Sequence, residues 1–558
     1  MQQTVEYLFR VGAEMAIRTG AEIVAEILKA AGVRQVFGIV SIHNMPIVDA
    51  ICHLDGIEMV TVRNEQSATH MADGYARATG SLGVSLASTG PGTTNTVTGL
   101  YESGYASSRV LVVTGQAETT FYGKGKGYVH EAENQKAMLQ TVARMVASPK
   151  YVGDVGADLT AVISDINSGR PQPGAIEIPI DLQYASTEFV PFEFEPPHLI
   201  AAEPETLQRA VEVIQGARKR VILAGGGIAL SGAAEALQAF AEKLDAPVLT
   251  TSNGKGAIPD DHDLYLGPVL MSEPVLEALK DADLLIAVGT RFQAGVGGRQ
   301  VLIAMPPMVH IDVDPNNINL NYTAEVGVAG DALLTLEYLI NKVAGSGDSQ
   351  YRETLQVAAA DTKARNLDRI GPDHTKILKA ISGHVDREAF FVRDNTIPGY
   401  YWANGLLPIF RPGGYIFPTS GAIGPGLPLG IGVALATASK TIIMHGDGGF
   451  MYHIGELATA AQYQAPIVVV VFNDGGYGVL RGLQQRQFGR INETELNTPN
   501  FVQLAESMGV KGLRAESADD FAGCLNQAME LAGPVLIDLN VKNMVPLQGI
   551  VPGPDSKH

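Results

Sequence analysis

The most constraining feature of this 558-residue sequence is a repeated rhythm. A short run of β-branched and apolar residues leads into a glycine-containing turn, and a stretch with helical periodicity follows. Runs at 36–40, 59–62, 83–87, 110–114 and 175–179 have this form. Strands that alternate with helices build parallel sheets, because each parallel connection must cross back over the sheet and cover one of its faces. The rhythm breaks at 188–197, rich in Pro and Glu, which reads as a linker. It resumes with strands at 220–224, 247–250, 284–288 and 309–313, and pauses at the polar stretch 345–350. A third block holds the strongest strands, 441–444 and 467–471. The sequence thus predicts an α/β protein of three doubly wound parallel-sheet domains, over 19–187, 198–345 and 368–545. Residues 1–18 read as a leader or surface segment. The folded pattern is expected to begin at Thr19, placed to cap a helix.

Composition narrows the function classes. The net charge is −19 and no basic run occurs, which argues against nucleic-acid and anionic-membrane partners. Cys52 and Cys524 are the only cysteines, so neither a disulfide framework nor a cysteine zinc site is expected. That usage suits a reducing, cytoplasmic compartment. The longest strongly apolar stretch, 465–472, is far shorter than the ~20 residues of a spanning helix.

The sharpest chemical signal lies in the third block. Gly446, Asp447, Gly448 and Gly449 are followed about two dozen residues later by Asn473, Asp474, Gly475 and Gly476. Asp447 closes one strand. Met451, Ile454, Leu457, Ala458 and Ala461 then have helical spacing, and a second strand ends at Asn473. A right-handed crossover makes such strands neighbours, with both acidic turns at their carboxyl ends, where open α/β sheets bind ligands. The glycines permit close approach of backbone to phosphate. Asp447 and Asp474 supply the hard oxygens that Mg²⁺ prefers.

This pattern resembles the signature of thiamine diphosphate-dependent enzymes, in the acetohydroxyacid synthase, pyruvate oxidase and benzaldehyde lyase-like superfamily. The resemblance spans about 19–545, in the order pyrimidine-binding, middle Rossmann-like and diphosphate-binding domain. It implies thiamine diphosphate and Mg²⁺ as cofactors. By that resemblance Asp447, Asp474 and the Gly476 carbonyl are the metal ligands, with Gly446, Gly448, Gly449 and Tyr477 around the diphosphate. The family usually carries Asn where this chain has Asp474, so either Asp474 or Asn473 is the second ligand. A change of Asp474 to Asn would keep an oxygen for the metal.

A second signal is Glu65, three residues before an apolar helical stripe of Ala68, Met71, Ala72, Tyr75 and Ala76. A carboxylate on that face is costly unless paired. The resemblance makes Glu65 the glutamate that hydrogen-bonds the cofactor's aminopyrimidine ring. It also makes Ile423 the bulky residue that holds the cofactor bent, in a segment continuing through Gly426. Ser88 and Gln116 follow strands and line the same cleft, with Gln116 towards the reacting carbon. His43 and His130 are candidate proton shuttles, since an unperturbed histidine titrates near pH 6.5. His70 reads as structural.

In the middle block, the turn at 224–227 is an incomplete dinucleotide fingerprint, and no acid ends the next strand to hold a ribose. NAD is therefore not expected, and FAD is possible but not favoured. The expected activity is formation or cleavage of a carbon–carbon bond next to a carbonyl, as in acetolactate synthases. The alternatives are a lyase or hydrolase acting on a hydroxyketone or diketone, and a non-catalytic nucleotide-binding relative. Ile180 stands where biosynthetic acetohydroxyacid synthases carry lysine, and Val129 where they carry phenylalanine, so another 2-oxo acid or ketone specificity is expected. The resemblance further implies a homodimer or homotetramer.

Overall fold

The computed structural model describes residues 15–191, 194, 198–293, 304–548, 550 and 551. The first fourteen residues of the expected leader, and most of 192–197 in the expected linker, lie outside the described residues. The N-terminal strands are β1 (Ala16–Thr19), β2 (Gln35–Gly38), β3 (Glu58–Thr61), β4 (Gly83–Ala87), β5 (Val110–Gln116), β6 (Met145–Ala147), β7 (Gly174–Pro179) and β8 (Ser186–Phe189). Six of them form a parallel sheet in the order β3-β2-β4-β5-β7-β6. β1 and β8 pair with each other, antiparallel, from Ala16↔Phe189 to Thr19↔Ser186. This corrects two expectations. The fold includes Ala16 to Arg18, and Glu188 and Phe189 are strand rather than linker, because the two ends of the first domain satisfy each other's backbone. Thr19 does cap the helix Gly20–Ala30: its side chain accepts from the Glu22 N–H, and Glu22 accepts from the Thr19 N–H at 2.7 Å.

The middle sheet contains β9 (Arg220–Ala224), β10 (Val248–Thr250), β11 (Tyr265–Gly267), β12 (Leu284–Val288), β13 (Met308–Asp312) and β14 (Val326–Ala329). Its order is β11-β10-β9-β12-β13-β14. The third contains β15 (Phe391–Arg393), β16 (Tyr415–Ile416), β17 (Thr441–Gly446), β18 (Ile467–Asn473), β19 (Lys511–Ala515) and β20 (Val535–Asn540), ordered β16-β15-β17-β18-β20-β19. The strand order reverses between β2 and β4, β9 and β12, and β15 and β17. Such reversals open a crevice at the strands' carboxyl ends.

The chain divides into two compact units. The first comprises Met1–His198 together with Pro418–Ala438 and His453–Ala465. Within it, the helix Gly426–Thr437 crosses the helix Glu65–Thr79 backbone against backbone. A Cβ on Gly74 would lie 2.1 Å from the Leu429 carbonyl oxygen, and one on Gly432 would lie 2.1 Å from that of Met71. Only glycine permits this approach. The stripe Ala68, Met71, Ala72, Tyr75 and Ala76 is buried, as is His70. Buried Glu102 fixes the start of the returning segment, accepting from the Thr419 and Ser420 N–H groups at 2.5 and 3.0 Å and pairing with Arg77 at 2.9 Å.

The second unit comprises Leu199–Phe417, Ser439–Tyr452 and Pro466–His558. Its longest helical element, Ser349–Ser382, breaks at Gly371 (φ 72°) ahead of Pro372. Tyr351, Leu355 and Ala359 pack with Leu249 and Leu285 of the middle sheet. Beyond the break, Ile377, Leu378 and Ile381 join the core of Phe391, Ile442 and Val468. The polar stretch 345–350 therefore leads straight into a helix, and the change from one core to the other falls between Ala359 and Ile370, just ahead of the break.

Candidate functional site

β17 and β18 are parallel neighbours, in register from Thr441↔Ile467 to Gly446↔Phe472. This brings the two acidic turns together, as their spacing predicts. The crossover differs in detail: Met451 is exposed in a turn, and its helix begins only at Glu456. Asp447, the first residue of the short helix Asp447–Phe450, accepts from the Gly475 N–H through Oδ2 at 3.0 Å. Its Oδ1 is buried without a partner. Burial, and then the Asp474 carboxylate, raise the Asp447 carboxyl well above the usual range. Asp474 is also raised by burial, against the pull of Arg481, whose Nη2 lies 2.6 Å from Asp474 Oδ2. Asn473 donates through Nδ2 to Asp538 at 3.1 Å, and its Oδ1 is buried without a partner. Of the two candidates for the second ligand, Asp474 is the one whose carboxylate interacts with that of Asp447.

Glycines shape the same turn. Gly476 has φ 149°, and a Cβ there would sit 2.1 Å from the Thr494 carbonyl oxygen. Tyr477 precedes the helix Gly478–Phe488, and its ring covers Gly448, where a Cβ would approach within 2.8 Å. A Cβ on Gly446 would lie 3.0 Å from Thr396 Oγ1. Gly449 is buried in the helix Asp447–Phe450. Among the described residues no three His, Cys, Asp or Glu side chains form a metal cluster. A cation at this turn would draw on two carboxylates and backbone oxygen.

The remaining candidates lie in the first unit. Glu65 is the first residue of its helix, which Asn64 caps by accepting from the Gln66 N–H at 2.8 Å. Its carboxylate is half-buried. The helix N-terminus favours the charge there. Oε2 accepts from Asn95 Nδ2 at 2.9 Å, and Oε1 faces Gly92, where a Cβ would come within 3.2 Å. Ile423 is half-buried in the turn before the helix that Gly426 begins.

At the carboxyl ends of β4 and β5, buried Ser88 lies 3.5 Å from Nδ1 of buried His43. The His43 ring is 5.2 Å from that of exposed His130, whose backbone is left-handed (φ 66°). Burial first, and His130 second, lower the His43 imidazole below its ordinary value. His43 Nε2 is buried without a partner. Tyr128 packs edge-on to His43 at 5.9 Å and against Phe121 at 5.2 Å.

Gln116 is the buried last residue of β5 rather than part of the turn beyond it. Its Nε2 donates to Glu177 at 3.2 Å, and its Oε1 accepts from the Ala117 N–H at 2.7 Å. Buried Glu177 also accepts from Gln135 at 3.1 Å, Tyr122 at 2.5 Å and Ser148 at 2.9 Å. Gln135 in turn accepts from the Gly90 N–H at 2.9 Å. Sequence reasoning assigned no role to Glu177, Gln135 or Arg481. A carboxylate inside the apolar run 175–179 was the available signal for Glu177. Arg481 carried none, since a lone arginine in a polar helix reads as a solvated face.

Three family descriptions match this chain in order. "Thiamine pyrophosphate enzyme, N-terminal TPP binding domain" covers residues 18–138, the central domain 207–339, and the "C-terminal TPP binding domain" 400–539. Similar curated proteins run nearly full length. A probable acetolactate synthase large subunit of Methanococcus aeolicus is 31% identical, over 96% of this chain and 94% of its own. A probable 2-ketoarginine decarboxylase of Pseudomonas aeruginosa is 32% identical, over 93% and 94%. The acetolactate synthase isozyme 2 large subunit of Escherichia coli is 30% identical, over 96% and 97%. The two acidic turns on adjacent strands and the glutamate opening a glycine-packed helix thus sit within a full-length match, and the chain belongs to the thiamine pyrophosphate-dependent enzyme family.

Proposed function

We propose that this thiamine diphosphate-dependent enzyme decarboxylates a 2-oxo acid and delivers the remaining fragment to a proton or to a carbonyl acceptor. The observation that carries this reading is the Asp447–Asp474 pair, with Asp447 Oδ1 buried and unpartnered. An orphaned carboxylate oxygen next to a second carboxylate fits a hard divalent cation. Asp447, Asp474 and the Gly476 carbonyl would hold Mg²⁺, with Gly446, Gly448, Gly449 and Tyr477 lining the approach of a diphosphate. When bound, the cofactor supplies the nucleophile and the electron sink for the carbon–carbon bond.

This chain's residues then bind, orient and move protons. Asn95 fixes Glu65 Oε2 and leaves Oε1 to hold a proton beside the space that Gly92 keeps clear. His43, lowered by burial, is neutral near pH 7, so its unpartnered Nε2 can accept a proton and pass it to His130. Glu177 orients the Gln116 amide. Phe121 and Tyr128 pack together beside His43 as an apolar margin against water, and Ser88 steadies His43. FAD lies outside this reading: the glycines at 225–227 are used in packing two turns together, since a Cβ on Gly225 would meet the Gly289 carbonyl oxygen at 2.1 Å. The proposed assembly is a homodimer or homotetramer in which Glu65 of one chain serves the metal turn of another. Among the described residues no helix is long and apolar enough to cross a membrane.

The substrate test is a mass-spectrometric screen of 2-oxo acids, each with and without aldehyde or oxo-acid acceptors, alongside 1,2-diketones. The expected result is CO₂ release from at least one 2-oxo acid. Cleavage of diketones with no oxo acid consumed would contradict decarboxylation.

A further inference from the structure

We propose that Arg481 is a positioning residue for the metal turn: it holds Asp474 beside Asp447 and cancels one of their two charges, setting how strongly the pair takes a divalent cation. The proposal rests on the reading of Asp447 and Asp474 as metal ligands. Two carboxylates brought together in a buried turn repel each other unless a cation lies beside them. Among the described residues, Arg481 is the one cation in ion-pair contact with either of them.

The packing is specific to that task. Arg481 is among the largest fully buried side chains of the protein. Its Nη2 meets Asp474 Oδ2 at 2.6 Å and also reaches the Asp474 backbone carbonyl at 3.3 Å, so side chain and backbone of the same residue are pinned together. Space for this contact exists because residue 478 is glycine. A Cβ there would fall 2.0 Å from Asp474 Oδ2 and 3.2 Å from Arg481 Nη2. Oδ2 is committed to the guanidinium, and the same carboxylate also meets the Asp447 side chain and the Gly476 N–H. With both carboxylates ionised, as ligands of a cation are, Asp447, Asp474 and Arg481 together carry one net negative charge, the same as one carboxylate beside a neutral amide. A buried arginine left without its partner would repel an incoming cation across a few ångströms. This changes the expectation for Asp474→Asn, which keeps an oxygen but strands Arg481.

The account predicts an order of Mg²⁺ affinity set by net charge. Isothermal titration calorimetry with Mg²⁺ at fixed thiamine diphosphate, and thermal melting with and without Mg²⁺, would be run on the full-length protein. Asp474→Asn should weaken Mg²⁺ binding by at least about 10-fold, from the Coulomb energy of one unpaired charge at this distance. Adding Arg481→Met to it should restore affinity to within about 3-fold of wild type, a non-additive rescue. Arg481→Met alone should melt lower without metal and show a larger Mg²⁺-induced rise than wild type. Arg481→Lys, which keeps the charge, should bind Mg²⁺ as wild type does. A double variant no better than Asp474→Asn would overturn the proposal, leaving Arg481 as packing. If Arg481→Met does not fold, the double variant and Arg481→Lys decide the matter in the same way. Asp447→Asn is the control for the underlying reading: undiminished Mg²⁺ binding there would remove Asp447 as a ligand and this proposal with it.

Discussion

Glu65→Gln lowers turnover by at least about 100-fold, the usual scale of a positioned acid–base group, while leaving the fold and cofactor binding in place. The substitution keeps the volume and an oxygen that can still accept from Asn95 Nδ2. It removes the charge and the exchangeable carboxyl proton. Loss of that charge at the helix N-terminus costs only about 0.3–1 kcal/mol, too little to unfold a unit whose helices pack backbone to backbone. Circular dichroism and calorimetric cofactor titration should match wild type while the rate collapses. Turnover near wild type with cofactor bound would remove Glu65 from the chemistry.

Asp447→Ala abolishes Mg²⁺-dependent retention of thiamine diphosphate. The variant deletes the unpartnered Oδ1 and the acceptor of the Gly475 N–H. The stranded donor costs about 1–3 kcal/mol and loosens the turn that presents Gly476. Native mass spectrometry after dialysis against Mg²⁺ should find cofactor on the wild type and none on the variant. Equal retention on both proteins would place the metal elsewhere.

The parts of the fold that were legible were those whose signal is local. β4, β9 and β12 fall on the runs 83–87, 220–224 and 284–288. Strands buried on both faces are continuous apolar runs bounded by turn residues. The neighbouring of β17 and β18 was legible too, because two strands joined by one crossover helix have few other places to go. What escaped depended on partners distant in sequence or on a single backbone angle. The β1–β8 pairing joins Ala16 to Phe189, and no local pattern marks it. The helix break rests on one φ at Gly371. The membership of Pro418–Ala438 in the first unit is a tertiary fact, carried by Gly74 and Gly432 at a helix crossing that the sequence shows only as glycines.

The site divides in the same way. Asp447 and Asp474 could be paired from strand ends alone. The Glu65 helix was readable from its stripe, but not the position of its carboxylate at the helix N-terminus beside Asn95 and Gly92. Glu177, which gathers Gln116, Gln135, Tyr122 and Ser148, is a hub visible only once β5 and β7 lie side by side.

The central claim is that carbon–carbon bond chemistry here needs both thiamine diphosphate and a divalent cation held at Asp447 and Asp474. The direct measurement is 2-oxo acid consumption by protein stripped of cofactor and metal, then reconstituted. Activity should return only when thiamine diphosphate and Mg²⁺ are added together, and neither alone should restore it. Equal turnover by the stripped protein in the presence of a chelator would contradict the account.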